Sequence, residues 1–150
     1  MVLQKITDKI GAGIQLSVVS GKSGKKFINN NGNKCEFQTE WLKTDESSLP
    51  HIKYVKDDDT SLSLTIPVNE NDPTYDFFNA MDHYLADEFK SEHIHKFIIN
   101  KNDNYYVRFK LYNSTEVFVK NKKVNIHSLL HFYKILKPET KLRIVFGFTH

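Results

Sequence analysis

Apolar and polar residues alternate along four stretches of the chain. In "GIQLSVVS", Ile14, Leu16 and Val18 fall on one side, with Gln15 and Ser17 on the other. "SLSLTI" sets Leu62, Leu64 and Ile66 against Ser61, Ser63 and Thr65. "YYVRFKLY" sets Tyr105, Val107, Phe109 and Leu111 against Tyr106, Arg108, Lys110 and Tyr112. "KLRIVFGF" sets Leu142, Ile144, Phe146 and Phe148 against Lys141, Arg143 and Val145. Successive side chains of a β-strand point to opposite faces, so each stretch predicts a strand with one buried and one wet face. Such strands suit an antiparallel sheet. Weaker strand signals fall at 34–42, 51–55 and 115–120. The segments "SGKSGKK" (20–26), "NNNGNK" (29–34), "KDDDTS" (56–61) and "YNSTE" (112–116) carry the turn residues that separate them.

One long stretch has the helical period instead. Phe77, Phe78, Met81, Tyr84, Leu85 and Phe89 recur at three- and four-residue spacing, which predicts an amphipathic helix over about 73–90. Asp72 is placed as its N-cap and Pro73 as its first residue; Asp76 and Lys90 suit the two ends of the helix dipole. A second short helix is expected over about 125–136, stopped by Pro138. The expected fold is therefore mainly β (α+β), one domain over 1–150. Its order of elements suits an oligonucleotide-binding-like small barrel of about five to seven antiparallel strands with a helix at one end. An open sheet with one packed helix is the competing architecture.

Composition bounds this picture without changing it. A chain of 150 residues with 39% hydrophobic residues is long enough for a proper core. Cys35 is the single cysteine and excludes an internal disulfide. The opening segment is interrupted by Lys5, Asp8 and Lys9, so no secretory signal is read, and no run approaches the length of a membrane helix. A soluble, intracellular protein without a membrane partner is expected.

Charge does change the picture. The formal net charge is only +3, yet residues 1–35 carry six Lys and one Asp, residues 36–92 four Lys and fourteen acids, and residues 93–150 eleven Lys or Arg and three acids. Segregation of this kind keeps a polyanion-binding face apart from the rest, although solvated charge blocks also produce it. The even face of 105–112 combines two cations with two rings. Surfaces that bind single strands need those ingredients, cations for phosphates and flat rings for bases. Lys141 and Arg143 are candidates to extend it. Lys22, Lys25 and Lys26 in "GKSGKK", and Lys120, Lys122 and Lys123 in "KNKK", are read as loop cations able to close over a strand. The same face is also accounted for as an ordinary cover of a half-buried sheet.

Enzymatic constellations are thin. His127 and His131 stand four apart in "HSLLH", but the Glu of a zinc-protease motif and a third ligand are missing. His93 and His95 in "HIH" fall on one side of an extended segment, with as little else to make a metal site; Asp57 to Asp59 in "DDD" and Glu88 to Lys90 in "EFK" are read as solvated surface. "GKSGKK" lacks the spacing of a phosphate-binding loop, and Cys35 has no evident partner base. No cofactor, metal or catalytic residue is assigned.

The stretches "FQTEWLK" (37–43), "SLSLTIP" (61–67), "YDFFNAMDHYLADEF" (75–89), "YYVRFKLYNSTEVFVKNKK" (105–123) and "KLRIVFGFTH" (141–150) come in an order that suggests a family. Over residues 34–150 the chain resembles the single-stranded-DNA-binding proteins of nucleocytoplasmic large DNA viruses, which are related in fold to the short-tailed phage single-strand binding protein. The resemblance implies an oligonucleotide-binding barrel that coats DNA during viral replication, recombination or repair, in the host cytoplasm or a viral replication factory. By position it implies Trp41, Tyr106, Arg108, Lys110, Lys141 and Arg143 as contacts; Tyr112 joins them from the strand pattern. A lone Trp on an alternating strand also fits a core position. The family carries an acidic C-terminal tail, whereas this sequence ends "FGFTH", so a continuation past His150 is expected. Without it an exposed strand edge is open to self-association.

The expected function is sequence-independent binding of single-stranded DNA, with RNA also open, and no catalysis. The alternatives are a protein-interaction or virion-structural domain and, with less behind it, a metal-dependent nuclease using the acidic middle segment.

Overall fold

The computed structural model describes residues 2–6, 14–20, 26–30, 35–56, 60–88, 96–112, 114–125 and 129–148. In chain order the elements are β1 (Val2–Lys5), β2 (Leu16–Ser20), β3 (Lys26–Asn30), β4 (Cys35–Gln38), β5 (Leu42–Lys43), a 3₁₀ turn (Ile52–Tyr54), β6 (Ser61–Val68) and α1 (Pro73–Glu88). There follow β7 (Ile98–Lys101), β8 (Asn104–Tyr112), β9 (Val117–Val119), β10 (Lys122–Val124), a 3₁₀ turn (Leu129–His131), α2 (Phe132–Ile135), β11 (Lys141–Leu142) and β12 (Val145–Phe146). The protein is mainly β with two helices, the class the sequence indicates. Its strands lie in several sheets of two or three, and among the described residues they do not close into a barrel. No described helix is long and apolar enough to cross a membrane.

The chain groups into two compact units. The first comprises Met1–Leu42, Asn69–Phe97 and Leu142–His150. Here β4 is the central strand, with β12 antiparallel on one side and β1 parallel on the other. The parallel pair departs from the all-antiparallel expectation. Parallel neighbours need a crossover of about a dozen residues or more, and residues 6–34, which include the antiparallel β2–β3 hairpin, provide it. Against this sheet the helix α1 buries Thr74, Phe77, Phe78, Met81 and Leu85. Phe37 of β4, Phe77 and Phe78 of α1, Phe97, Phe146 and Phe148 form one cluster, with ring centroids 5.1 to 6.3 Å apart in its contacting pairs. Tilted and edge-on pairs of this kind are worth about 0.5–1.5 kcal/mol each beyond their burial.

The start of α1 is capped from a distance. Asp72 stands at the N-cap, its carbonyl accepting the Asp76 N–H at 3.1 Å, while its carboxylate accepts the Asn69 N–H at 2.9 Å and shapes the turn before the helix. The Thr74 N–H and hydroxyl both donate to Glu40 Oε1, at 3.4 and 3.1 Å. A carboxylate in that place satisfies an orphan amide and complements the positive end of the helix dipole.

The second unit comprises Lys43–Val68 and Ile98–Lys141. Its sheet has the order β6–β8–β7, antiparallel throughout. One face buries Leu62, Leu64, Ile66 and Val68 with Val107, Phe109 and Leu111, as the alternation requires. The free side of β6 is blunted where the Thr65 N–H donates to the Ser48 carbonyl at 2.7 Å. β7 and β8 are joined by Asn102 and Asp103 at φ of 54° and 63°, residue types that tolerate this left-handed region.

The segment 51–55 is not a strand. Pro50 precedes it, His51 Nδ1 accepts the Lys53 N–H at 3.2 Å, and the Tyr54 N–H donates to the His51 carbonyl at 2.9 Å. Local bonds thus outcompete a five-residue alternation. Further along, Thr44 is buried and fully used. Its hydroxyl donates to the Lys137 carbonyl at 2.7 Å and accepts the Thr140 N–H at 3.0 Å, and its own N–H reaches the Thr140 carbonyl at 2.9 Å.

Candidate nucleic-acid interface

The outer face of the β6–β8–β7 sheet follows from its register. Tyr106, Arg108, Lys110 and Tyr112 stand opposite Pro67, Thr65, Ser63 and Ser61 of β6. On the other flank Tyr106 stands opposite Ile99, and Asn104 opposite Lys101. Arg108, Lys110 and Lys101 are exposed, Tyr112 is 48% exposed, and Tyr106 is half-buried beside Ile99. Alternate residues of a strand are about 6.7 Å apart. The two rings and two cations therefore form a row of about 20 Å.

What lies opposite the cations decides the electrostatics. An acid directly across an antiparallel pair would stabilise each cation by up to about 1 kcal/mol. β6 supplies hydroxyls instead, and among the described residues neither Arg108 nor Lys110 makes an ion pair. Among the described residues the face thus carries positive charge without an acid paired to it, and short hydroxyls stand next to the cations. Cations and hydroxyls are the donors that phosphate oxygens accept from.

The first unit holds a separate arrangement. Thr39 and Ile144 lock two segments together: the Thr39 N–H donates to the Ile144 carbonyl at 2.9 Å, and the Ile144 N–H donates to Thr39 Oγ1 at 3.0 Å. This brings Arg143 over Trp41, with the guanidinium carbon 4.6 Å from the ring centroid. Trp41 is 63% exposed and is not a core residue. A guanidinium over an exposed indole contributes about 0.5–1 kcal/mol, and it holds the ring as a flat, solvent-facing platform.

The remaining predicted residues fall in different places. Lys141 is exposed on β11 in the second unit. The segment "KNKK" is part turn and part strand. Lys120 and Asn121 form a two-residue turn at φ of 52° and 65°, and Lys122 and Lys123 are paired residues of β10. Lys26 is the first residue of β3, opposite Ser20. Lys22 and Lys25, His93, His95 and His127, and Asp57 to Asp59 lie outside the described residues. Among the described residues no group of three His, Cys, Asp or Glu is placed to hold a metal.

Three exposed features escaped the sequence reading. Lys101 sits on the same face as Arg108, but "IINK" shows no alternation to announce it. Tyr54, 69% exposed, carries the Lys53 ammonium 5.0 Å from its ring centroid. Phe118 is 59% exposed on β9. Its signal was the uninterrupted "VFV", which leaves no wet side on a two-stranded hairpin.

Comparison of the chain with protein-family models, with curated proteins and with solved structures returns no match.

Proposed function

We propose that this chain binds single-stranded DNA without strong sequence preference and without catalysis, as a coating protein in DNA replication, recombination or repair. The observation that supports it most is the outer face of β8. Tyr106, Arg108, Lys110 and Tyr112 share one pleated side, and both cations stand opposite hydroxyls rather than carboxylates. On this reading Arg108, Lys110 and Lys101 hold the phosphate backbone while the tyrosines stack bases. Base–aromatic stacking is worth about 1–3 kcal/mol per base, and it is indifferent to sequence because every base has a π-face. Trp41 with Arg143, and Lys141, offer the same chemistry in their own units.

The test is a fluorescence-anisotropy titration of labelled oligo-dT and oligo-rU at several salt concentrations. Binding at low salt that weakens linearly on a log–log plot, by about 0.7 per phosphate neutralised, supports the reading. Absence of binding at low salt, or affinity indifferent to salt, rejects it. Stronger binding of oligo-rU would move the assignment to RNA. Incubating labelled DNA with Mg²⁺ or Mn²⁺ checks the non-catalytic part, which shortening of the substrate would overturn.

A further inference from the structure

The hairpin β9–β10 is small and oddly furnished. Its cross-strand pairs are Val117 with Val124, Phe118 with Lys123, and Val119 with Lys122. Phe118 shares a face with Lys123 and with Glu116, two residues earlier, and Lys123 Nζ lies 3.3 Å from Glu116 Oε1. Val119 and Lys122 occupy the opposite face, both exposed. At the tip, Lys120 adopts φ of 52°. Left-handed backbone costs a residue with a Cβ roughly 1–2 kcal/mol, and such turns favour Asn-Gly. A cation here is thus held at the cost of turn stability. Among the described residues neither Lys120 nor Lys122 makes an ion pair.

An exposed ring flanked by lysines admits two kinds of occupant, an apolar protein surface or a nucleic-acid strand. Charge favours the strand. From Ser114 to Asn125 the sequence carries Lys120, Lys122 and Lys123 against the single acid Glu116. Burying Lys123 and the tip lysine with the ring against an apolar partner would leave desolvated charge, whereas phosphates compensate it.

We propose that β9–β10 is a single-strand-binding finger, in which Phe118 stacks on a base, Lys123 on its face and Lys120 at the tip contact the flanking phosphates, and Glu116 restrains Lys123 until a phosphate replaces it. This deepens the single-strand reading and rests on it. The Glu116–Lys123 pair is exposed on both sides, so its own strength is small and exchange for phosphate is easy.

The experiment compares the parent chain with Phe118→Leu and Glu116→Gln in oligo-dT titrations, with circular dichroism as the fold control. Phe118→Leu keeps apolar bulk and removes the π-face. It is expected to weaken binding at least about five-fold, the low end of one lost stacking interaction. Glu116→Gln is expected to tighten binding at low salt, because Lys123 no longer leaves a carboxylate to reach its phosphate, with the salt slope unchanged since the same phosphates are met. Photocrosslinking with 5-iodouracil oligonucleotides should mark the peptide containing Phe118. A parent that binds while both variants match it, with no crosslink to that peptide, overturns the finger and leaves the single-strand reading standing. A parent that binds no oligonucleotide overturns both. Concentration-dependent self-association of the parent, abolished by Phe118→Leu with oligonucleotide affinity unchanged, assigns the hairpin to a second copy and overturns the proposal.

Discussion

The two units use their aromatic rings differently. In the first, Phe37, Phe77 and Phe78 are buried and pack with Phe97, Phe146 and Phe148, and Trp41 is exposed under a guanidinium. In the second, Phe109 and Phe132 are buried, but the sheet core is mostly aliphatic, and Tyr54, Tyr112 and Phe118 stand in solvent. Rings that only stabilise a fold belong with each other. Rings left exposed beside Lys53, Lys110 and Lys123 lose that stabilisation and keep a free π-face beside a cation. The contrast separates the residues on which stability depends from those on which the proposed binding depends.

The largest effect that sharpens this contrast is in the first unit. Phe37→Ala removes a fully buried ring at the meeting point of Phe77, Phe146 and Phe148, and a loss of about 3–5 kcal/mol is expected in chemical denaturation. A loss under 1 kcal/mol would mean that the cluster is loosely packed. Next comes Thr44→Val, which keeps the shape but removes two hydrogen bonds, while the Thr140 N–H and the Lys137 carbonyl keep each other as partners. About 0.5–1.5 kcal/mol is expected, by the same measurement.

Tyr112→Ala is the counterpart in the second unit. An exposed ring at the end of β8 should change stability by less than about 0.5 kcal/mol, yet weaken oligo-dT binding several-fold. Equal affinity with lower stability would return Tyr112 to the role of sheet cover. Trp41, the single tryptophan, reports on its own platform. Its emission should be that of a solvent-exposed indole and should be quenched by oligo-dT; a blue-shifted, unresponsive emission would contradict its placement.

The smallest effect is in pH. Burial, reinforced by Glu88, raises the Tyr84 phenol above its ordinary value, and burial alone raises Tyr133, whose hydroxyl donates to the Pro50 carbonyl. In both cases the folded state holds its proton more tightly than the unfolded chain. Stability is therefore intact below about pH 10 and declines as pH rises through the raised values. Tyrosinate absorbance should extend to higher pH in the native chain than in the denatured one; coincident curves would contradict this.

Long periodic segments were legible in the sequence and short ones were not. β6 and β8 stand where alternation runs for six to eight residues, and α1 stands where the apolar stripe repeats over four turns. The four-residue strands β1 and β7, and β10 of three residues, offer too few positions for a period to show. "KLRIVFGF" kept its inside and outside, with Lys141, Arg143 and Val145 exposed, but is split into β11 and β12 around the Thr39 contact. Contacts between distant positions carry no local signal, as in the Glu40 cap on Thr74 or the hold of Thr44 on Thr140. The candidate face was legible because it needs only one strand and its period. The position of Trp41 was not, since it depends on Arg143, which sits across a strand contact far along the chain.

The account rests on the two cations of β8 that stand opposite hydroxyls, and the salt dependence of Arg108→Ala/Lys110→Ala against the parent tests it most directly. Two lost phosphate contacts should flatten the log–log slope for oligo-dT by about 1.4, with an unchanged unfolding midpoint. Parallel slopes for the two proteins would contradict it.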